Sequence, residues 1–131
     1  MTRFARLPWA REVDHRGRRT NPETEHIMRP IREVCKRLHL PCERNATGKA
    51  RSLGGPSIIH LHSTGYWDLE VYVPGAGFSI MVECKMPGKG LSPEQAAWAN
   101  VYRRCGKETI VAESVHQFLE ELQGIRTRRS R

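Results

Sequence analysis

The stretch Trp67-Asp68-Leu69-Glu70-Val71-Tyr72-Val73-Pro74-Gly75-Ala76-Gly77-Phe78-Ser79-Ile80-Met81-Val82-Glu83-Cys84-Lys85 decides the fold. Trp67, Leu69, Val71 and Val73 alternate with Asp68, Glu70 and Tyr72, the period of a half-buried strand. Pro74 to Gly77 supplies a turn, after which Phe78, Ile80, Val82 and Cys84 alternate with Ser79, Met81, Glu83 and Lys85. A symmetric closure of that loop sets Asp68 opposite Glu83. Side chains two apart share a strand face, so Lys85 joins the two acids, while the Cys84 side chain points into the core. Trp67 counts with the apolar face.

Directly opposed residues hold their Cβ atoms about 4.5 to 5.5 Å apart. Two carboxylates at that separation repel, and a divalent cation turns the repulsion into a binding site. Hard oxygen ligands from two acids, completed by water and phosphate, suit magnesium or manganese, as one ion or two. Such a cation lowers the pKa of bound water and polarises a phosphodiester. Lys85 beside it would orient or activate the attacking water and offset the charge that grows in the transition state. Taken blandly, the same three residues are an exposed surface cluster. Their coincidence across one hairpin of a basic chain favours a catalytic site.

The charge of the chain agrees with that chemistry. Its 131 residues carry 22 Lys and Arg against 14 Asp and Glu, a net charge of +8. An excess of that size on one small domain favours a polyanionic partner. Cations gather at both ends, from Arg3 to Arg19 and from Arg126 to Arg131. We divide the chain into a basic arm over 1–20, a domain over 21–124 and a basic tail over 125–131. No apolar run is long enough to span a membrane, and Met1 to Arg6 does not open a signal peptide, so an intracellular protein is expected. Cys35, Cys42, Cys84 and Cys105 lack the close pairing of a structural zinc site and are expected to be reduced.

Outward from the hairpin, Ile27, Ile31, Val34, Cys35 and Leu38 predict a helix over 22–39, started by Asn21-Pro22. Pro30 inside it predicts either a kink or a later start. Residues 43–57 read as turns around at most a short strand, and Ile58 to His62 as another strand. Ser92, Pro93 and Gln95 announce a helix with a capping box, its stripe formed by Trp98, Val101 and Tyr102 and its stop by Gly106. A strand at Thr109 to Ala112 follows, then a last helix with Val115, Phe118, Leu119 and Leu122, ending at Gly124. The order is that of a mixed α/β domain. His60 and His62 share a strand face and form either a metal pair or ordinary surface polarity; His26 beside Glu25 is an equally weak accessory base.

Several segments together carry a family resemblance. Asp68 followed by Glu83-Cys84-Lys85 resembles the D…(D/E)-x-K signature of the PD-(D/E)XK nucleases. Arg44-Asn45-Ala46-Thr47-Gly48, Gly65-Tyr66-Trp67-Asp68-Leu69 and Gly90-Leu91-Ser92-Pro93-Glu94-Gln95-Ala96-Ala97-Trp98 resemble segments of its VRR-NUC branch, as do Gly106 and the run Val111 to Val115. The likeness covers about residues 23 to 122. It implies a restriction-endonuclease-like core, a mixed central sheet flanked by helices in the order αβββαβ with a C-terminal helix added. It makes Asp68, Glu83 and the backbone carbonyl of Cys84 the metal ligands, Lys85 the catalytic lysine and Gln95 a helper, although the capping box alone already explains Gln95. The acid of the first helix falls on Glu25, with Glu23 as competitor. Lys49, Arg51 and Lys89 in flanking loops, with Arg44, are candidate phosphate contacts. The resemblance further implies a magnesium-dependent endodeoxyribonuclease of phage type, a homodimer acting on branched DNA such as four-way junctions. The alternatives are a flap- or nick-directed nuclease, a non-catalytic DNA-binding module on the same fold, and an enzyme acting on RNA.

Overall fold

The computed structural model describes residues 21–45, 49–51, 58–60 and 64–130, with only the backbone of the segments 49–51 and 58–60. The basic arm over 1–20, and with it Phe4, Leu7 and Trp9, lies outside the described residues. A π-helical turn, Thr24–Met28, runs into α1 (Arg29–Arg37). Then come β1 (Cys42–Arg44), β2 (Lys49–Arg51), β3 (Ile58–His60), β4 (Leu69–Tyr72), β5 (Ser79–Cys84), α2 (Pro93–Arg104), β6 (Glu108–Ala112) and α3 (Val115–Arg129). The protein is mixed α/β. One sheet has the order β1-β4-β5-β6, antiparallel except for the parallel β5–β6 pair; β2 and β3 form a separate antiparallel pair.

The β4–β5 register pairs Leu69 with Val82, Val71 with Ile80 and Tyr72 with Ser79, as a symmetric loop requires. The loop closes through the Ala76 N–H donating to the Val73 carbonyl at 3.1 Å, and Gly75 follows Pro74 with φ 77°. That is the residue pattern of a type II turn. Leu69, Val71, Ile80, Val82 and Cys84 face a core completed by Ile27, Met28, Ile31 and Cys35 before and within α1, and by Phe118, Leu122 and Ile125 of α3. On the opposite face Trp67 and Met81 pack with Ala99 and Tyr102 of α2. Strand β5 is therefore buried on both sides, which explains why Met81, placed by alternation among the polar residues, is fully buried. The stripe of α2 likewise passes through Ala99 and not through Val101, which is 41% exposed.

Three boundaries differ from expectation for identifiable reasons. The helix does not start late, since it runs from Pro22, and the turn before Pro30 is π-helical. Proline cannot donate to the carbonyl four residues back and crowds it; here the preceding turn widens, and the Arg29 N–H reaches the Thr24 carbonyl. Asn21 begins the helix by accepting from the Glu23 N–H at 2.9 Å. Lys49 and Arg51, expected in loops, lie on β2, and their side chains lie outside the described residues, as does His62. The third is α3, which runs through Gly124, so residues 125–129 are not a tail. Ile125 is buried, Arg128 and Arg129 pair with Glu108, and the Arg129 guanidinium lies 4.5 Å from the centre of the Phe78 ring. Among the described residues no helix is long and apolar enough to cross a membrane.

Because Ile125 fills the core, Ile125→Ala should lower the free energy of unfolding by about 2 to 4 kcal/mol. A urea titration checks this, and an unchanged midpoint would show that residues beyond Gly124 carry no stability.

Candidate active site

At the open end of the β4–β5 ladder the backbone hydrogen bonds give way to side chains. Asp68 lies on a bend just before β4, one step beyond the Leu69–Val82 pair and so opposite Glu83. Its Oδ2 accepts from the Cys84 N–H at 2.9 Å, while Glu83 Oε1 accepts from the Asp68 N–H at 3.3 Å. Each acid thus takes a main-chain donor from the facing strand end. Glu83 is 3% exposed, the one buried charged residue among those described. The Cys84 side chain is fully buried on the other face, as alternation demands.

Two helpers complete the cluster. Lys85 Nζ lies 3.6 Å from Glu83 Oε2, with its side chain 13% exposed. Gln95 does two jobs at once. Its Oε1 accepts from the Ser92 N–H at 2.9 Å, closing the capping box of α2, and its Nε2 donates to Glu83 Oε2 at 2.8 Å. The capping role and the site role are therefore not alternatives.

Glu25 does not join the site. It forms an ion pair with Arg29 at 2.9 Å, whereas the charge of Glu23 is felt at Asp68 and faces Lys89 at 3.9 Å. The π turn sets the spacing here: Pro22 and Ile27, five residues apart, are both buried, and Glu23 is the acid whose charge reaches Asp68. Lys89, in the turn after β5, thus faces Glu23; Arg44 is exposed at the end of β1.

Several positioning residues had no assigned role in the sequence. Trp67, expected beside Leu69, packs on the opposite face because the chain bends at Asp68. Its N–H donates to the Tyr102 hydroxyl at 3.0 Å and its indole N–H to the Gln95 carbonyl at 2.9 Å. Asn45 Nδ2 donates to the Trp67 carbonyl and the Asn45 N–H to the Asp68 carbonyl. Gly65, at φ 85°, lets the chain pass the first turn of α2, since a Cβ there would sit 2.6 Å from Glu94. The segments around Asn45 and Gly65 were visible as motifs, but not what they touch.

Electrostatics mark the acids as an unusual pair. Burial, then the charge of Asp68, pushes the Glu83 carboxyl up to about 8, against the opposing pull of Lys85. Asp68 is also raised, by burial first, although hydrogen bonds from the Cys84 N–H and from Glu83 oppose the rise. Burial and mutual repulsion thus favour one proton held by the pair. A divalent cation suits such a pair, because it replaces the shared proton with fixed positive charge. Among the described residues no three His, Cys, Asp or Glu side chains converge on one point. A cation held by Asp68 and Glu83 would complete its shell with a backbone carbonyl, water and phosphate oxygens, the open arrangement that suits magnesium.

The chain matches no protein-family model, and no curated protein matches it.

The raised Glu83 carboxyl carries a sign for stability. A folded-state pKa above the unfolded value means that protonation favours folding, so stability is full below about 4.5 and is lost as pH rises through about 8. Without metal, the melting temperature should fall across that window by roughly 5 °C or more, and Glu83→Gln should flatten the slope. Equal slopes in the two proteins would remove the raised carboxyl.

Proposed function

We propose that this protein is a metal-dependent nuclease of the VRR-NUC branch of the PD-(D/E)XK nucleases, hydrolysing phosphodiester bonds in DNA. The observation that carries the proposal is the cluster of Asp68, Glu83, Lys85 and Gln95, three chain segments meeting around one buried carboxylate. The αβββαβ order of α1, β1, β4, β5, α2 and β6, followed by α3, supports it as well.

Asp68, Glu83 and the Cys84 carbonyl would hold magnesium, with manganese as a substitute; the ion would supply Lewis acidity and an acidified water. The chain's own groups do the rest. Gln95 Nε2 fixes the Glu83 carboxylate in one orientation, leaving its remaining lone pairs for the cation. Lys85 Nζ, nearly buried beside Glu83, is placed to hold the attacking water or a phosphoryl oxygen. An ammonium there stabilises the negative charge that develops. Trp67 and Asn45 set the height of Asp68 above the sheet. Glu23 takes the place first given to Glu25 as the acid of the first helix.

Branched DNA such as a four-way junction is the proposed substrate, with a homodimer presenting one site to each of two strands. The test is cleavage of a labelled four-way junction beside matched flap and linear duplexes, in magnesium, manganese and EDTA. Metal-dependent cutting of the junction is expected, lost in Asp68→Ala and Glu83→Ala. Lys85→Met should slow the chemical step about 100- to 1000-fold at saturating DNA with little change in binding. Preference for the flap would change the substrate, and tight binding without cutting in either metal would replace the enzyme with a DNA-binding module.

A further inference from the structure

A groove of about 520 Å³ runs between the first helix and the edge strand β1. One wall is Thr24, Met28, Arg29, Arg32, Glu33 and Lys36; the other is Leu40, Pro41, Cys42 and Arg44. The walls meet at the far end, where His39 at φ 57° reverses the chain and the Leu40 N–H returns to the Cys35 carbonyl. At the near end each wall is one residue in sequence from a residue tied to the Asp68 segment. Thr24 follows Glu23, whose charge reaches Asp68, and Arg44 precedes Asn45, which is bonded to the Trp67 and Asp68 carbonyls.

Its charge is one-sided. Arg29, Arg32 and Lys36 recur at helical spacing on one wall and Arg44 stands on the other, against Glu33 as the only acid of the lining. Arg29 is engaged by Glu25, but Arg32, Lys36 and Arg44 make no ion pair among the described residues. Thr24 to Lys36 spans roughly 18 Å at the rise of a helix. The helix dipole accounts for Lys36 in the last turn of α1; it does not account for Arg32 or, on the facing strand, for Arg44. Fixed cations spaced along a channel match a ligand with repeated negative charge, not a single small anion.

We propose that this groove holds the phosphodiester backbone of the substrate strand next to the cut, with Arg32, Lys36 and Arg44 as its phosphate contacts. The assignment rests on the nuclease reading and adds where the strand lies. Duplex arms and single-stranded arms offer the same backbone, so both belong in the test. Cys42 provides an internal reporter. It lines the groove and is half-buried, and a hydrogen bond with the Cys35 thiol, then the charge of Arg32, holds its thiol below the usual range.

The experiment measures binding of the full chain to labelled junction, duplex and single strand in EDTA across a salt series. Wild type is compared with Arg32→Gln/Lys36→Gln and with a control, Arg103→Gln/Arg104→Gln, on the exposed end of α2. Losing two phosphate contacts should make the slope of log affinity against log salt shallower by about 1.4 to 1.8 and weaken binding about tenfold. The control should match wild type. In a Cys105→Ser background, bound DNA should slow alkylation of Cys42 at least severalfold. If wild type binds and cuts DNA while the groove variant keeps its slope and Cys42 reacts at the free rate, the groove assignment falls and the nuclease stands. If wild type neither binds nor cuts, both fall.

Discussion

Everything in this molecule turns on two carboxylates that stand in for main-chain hydrogen bonds. Where β4 and β5 part, Asp68 accepts from the Cys84 N–H and Glu83 accepts from the Asp68 N–H. A strand end buried under α2 could not leave those donors unpaired, since each orphaned amide would cost about 1 to 3 kcal/mol. The acids are therefore held by the same force that closes the sheet. Among the described residues no buried side-chain polar atom lacks a partner. Lys85 and the donors around the pair relieve only part of the like-charge repulsion that this creates. It surfaces as the raised carboxyl of Glu83, through which protonation is coupled to the fold.

Holding Asp68 in that position needs the chain before it to be immobile. The indole of Trp67 is buried between Met81 and Tyr102, and its two N–H groups and its carbonyl are all engaged. Tyr102 meets it edge-on at 5.6 Å, and Tyr66 and Trp98 pack in turn on Tyr102 and on each other, with centroids 5.0 to 5.7 Å apart. This aromatic cluster joins the Asp68 segment to α2, the helix that carries Gln95. Two residues from distant parts of the sequence thus reach Glu83 from one rigid body, which is the condition for a preorganised polar site.

What the sequence made legible was whatever depends on a period or a turn. The Pro74-to-Gly77 loop was enough to pair Asp68 with Glu83 before any coordinates, because the loop closes symmetrically and strand alternation has a fixed period. The boundaries of α2 followed from Ser92, Pro93 and Gln95 for the same reason. Readings failed where two local rules compete. The resemblance set the acid of the first helix on Glu25 ahead of Glu23, and a 3.6-residue period could not correct it, because it cannot express the wide turn before Pro30. Gly124 marks a stop only if little lies beyond it; a helical glycine costs about 1 kcal/mol, less than the burial of Ile125 returns. Trp67 obeyed alternation on paper, but the bend at Asp68 resets the phase. Residues 1–20 and the side chains of Lys49 and Arg51 lie outside the described residues, so those expectations stand where the sequence left them.

The double engagement of Gln95 shows how the site constrains the choice of residue. A capping box accepts Glu or Gln at this position, because only the side-chain oxygen reaches back to the Ser92 N–H. With that oxygen committed, the amide nitrogen of Gln95 is left facing Glu83 Oε2, and its orientation is fixed by bonds at both ends. A glutamate would cap the helix equally well. It would also set a third carboxylate against Asp68 and Glu83, within a region that already struggles to keep two ionised. Glutamine instead brings a donor, which favours the charged form of Glu83 and so works with Lys85 against desolvation. The helix alone leaves the choice open; the buried acid beside it decides.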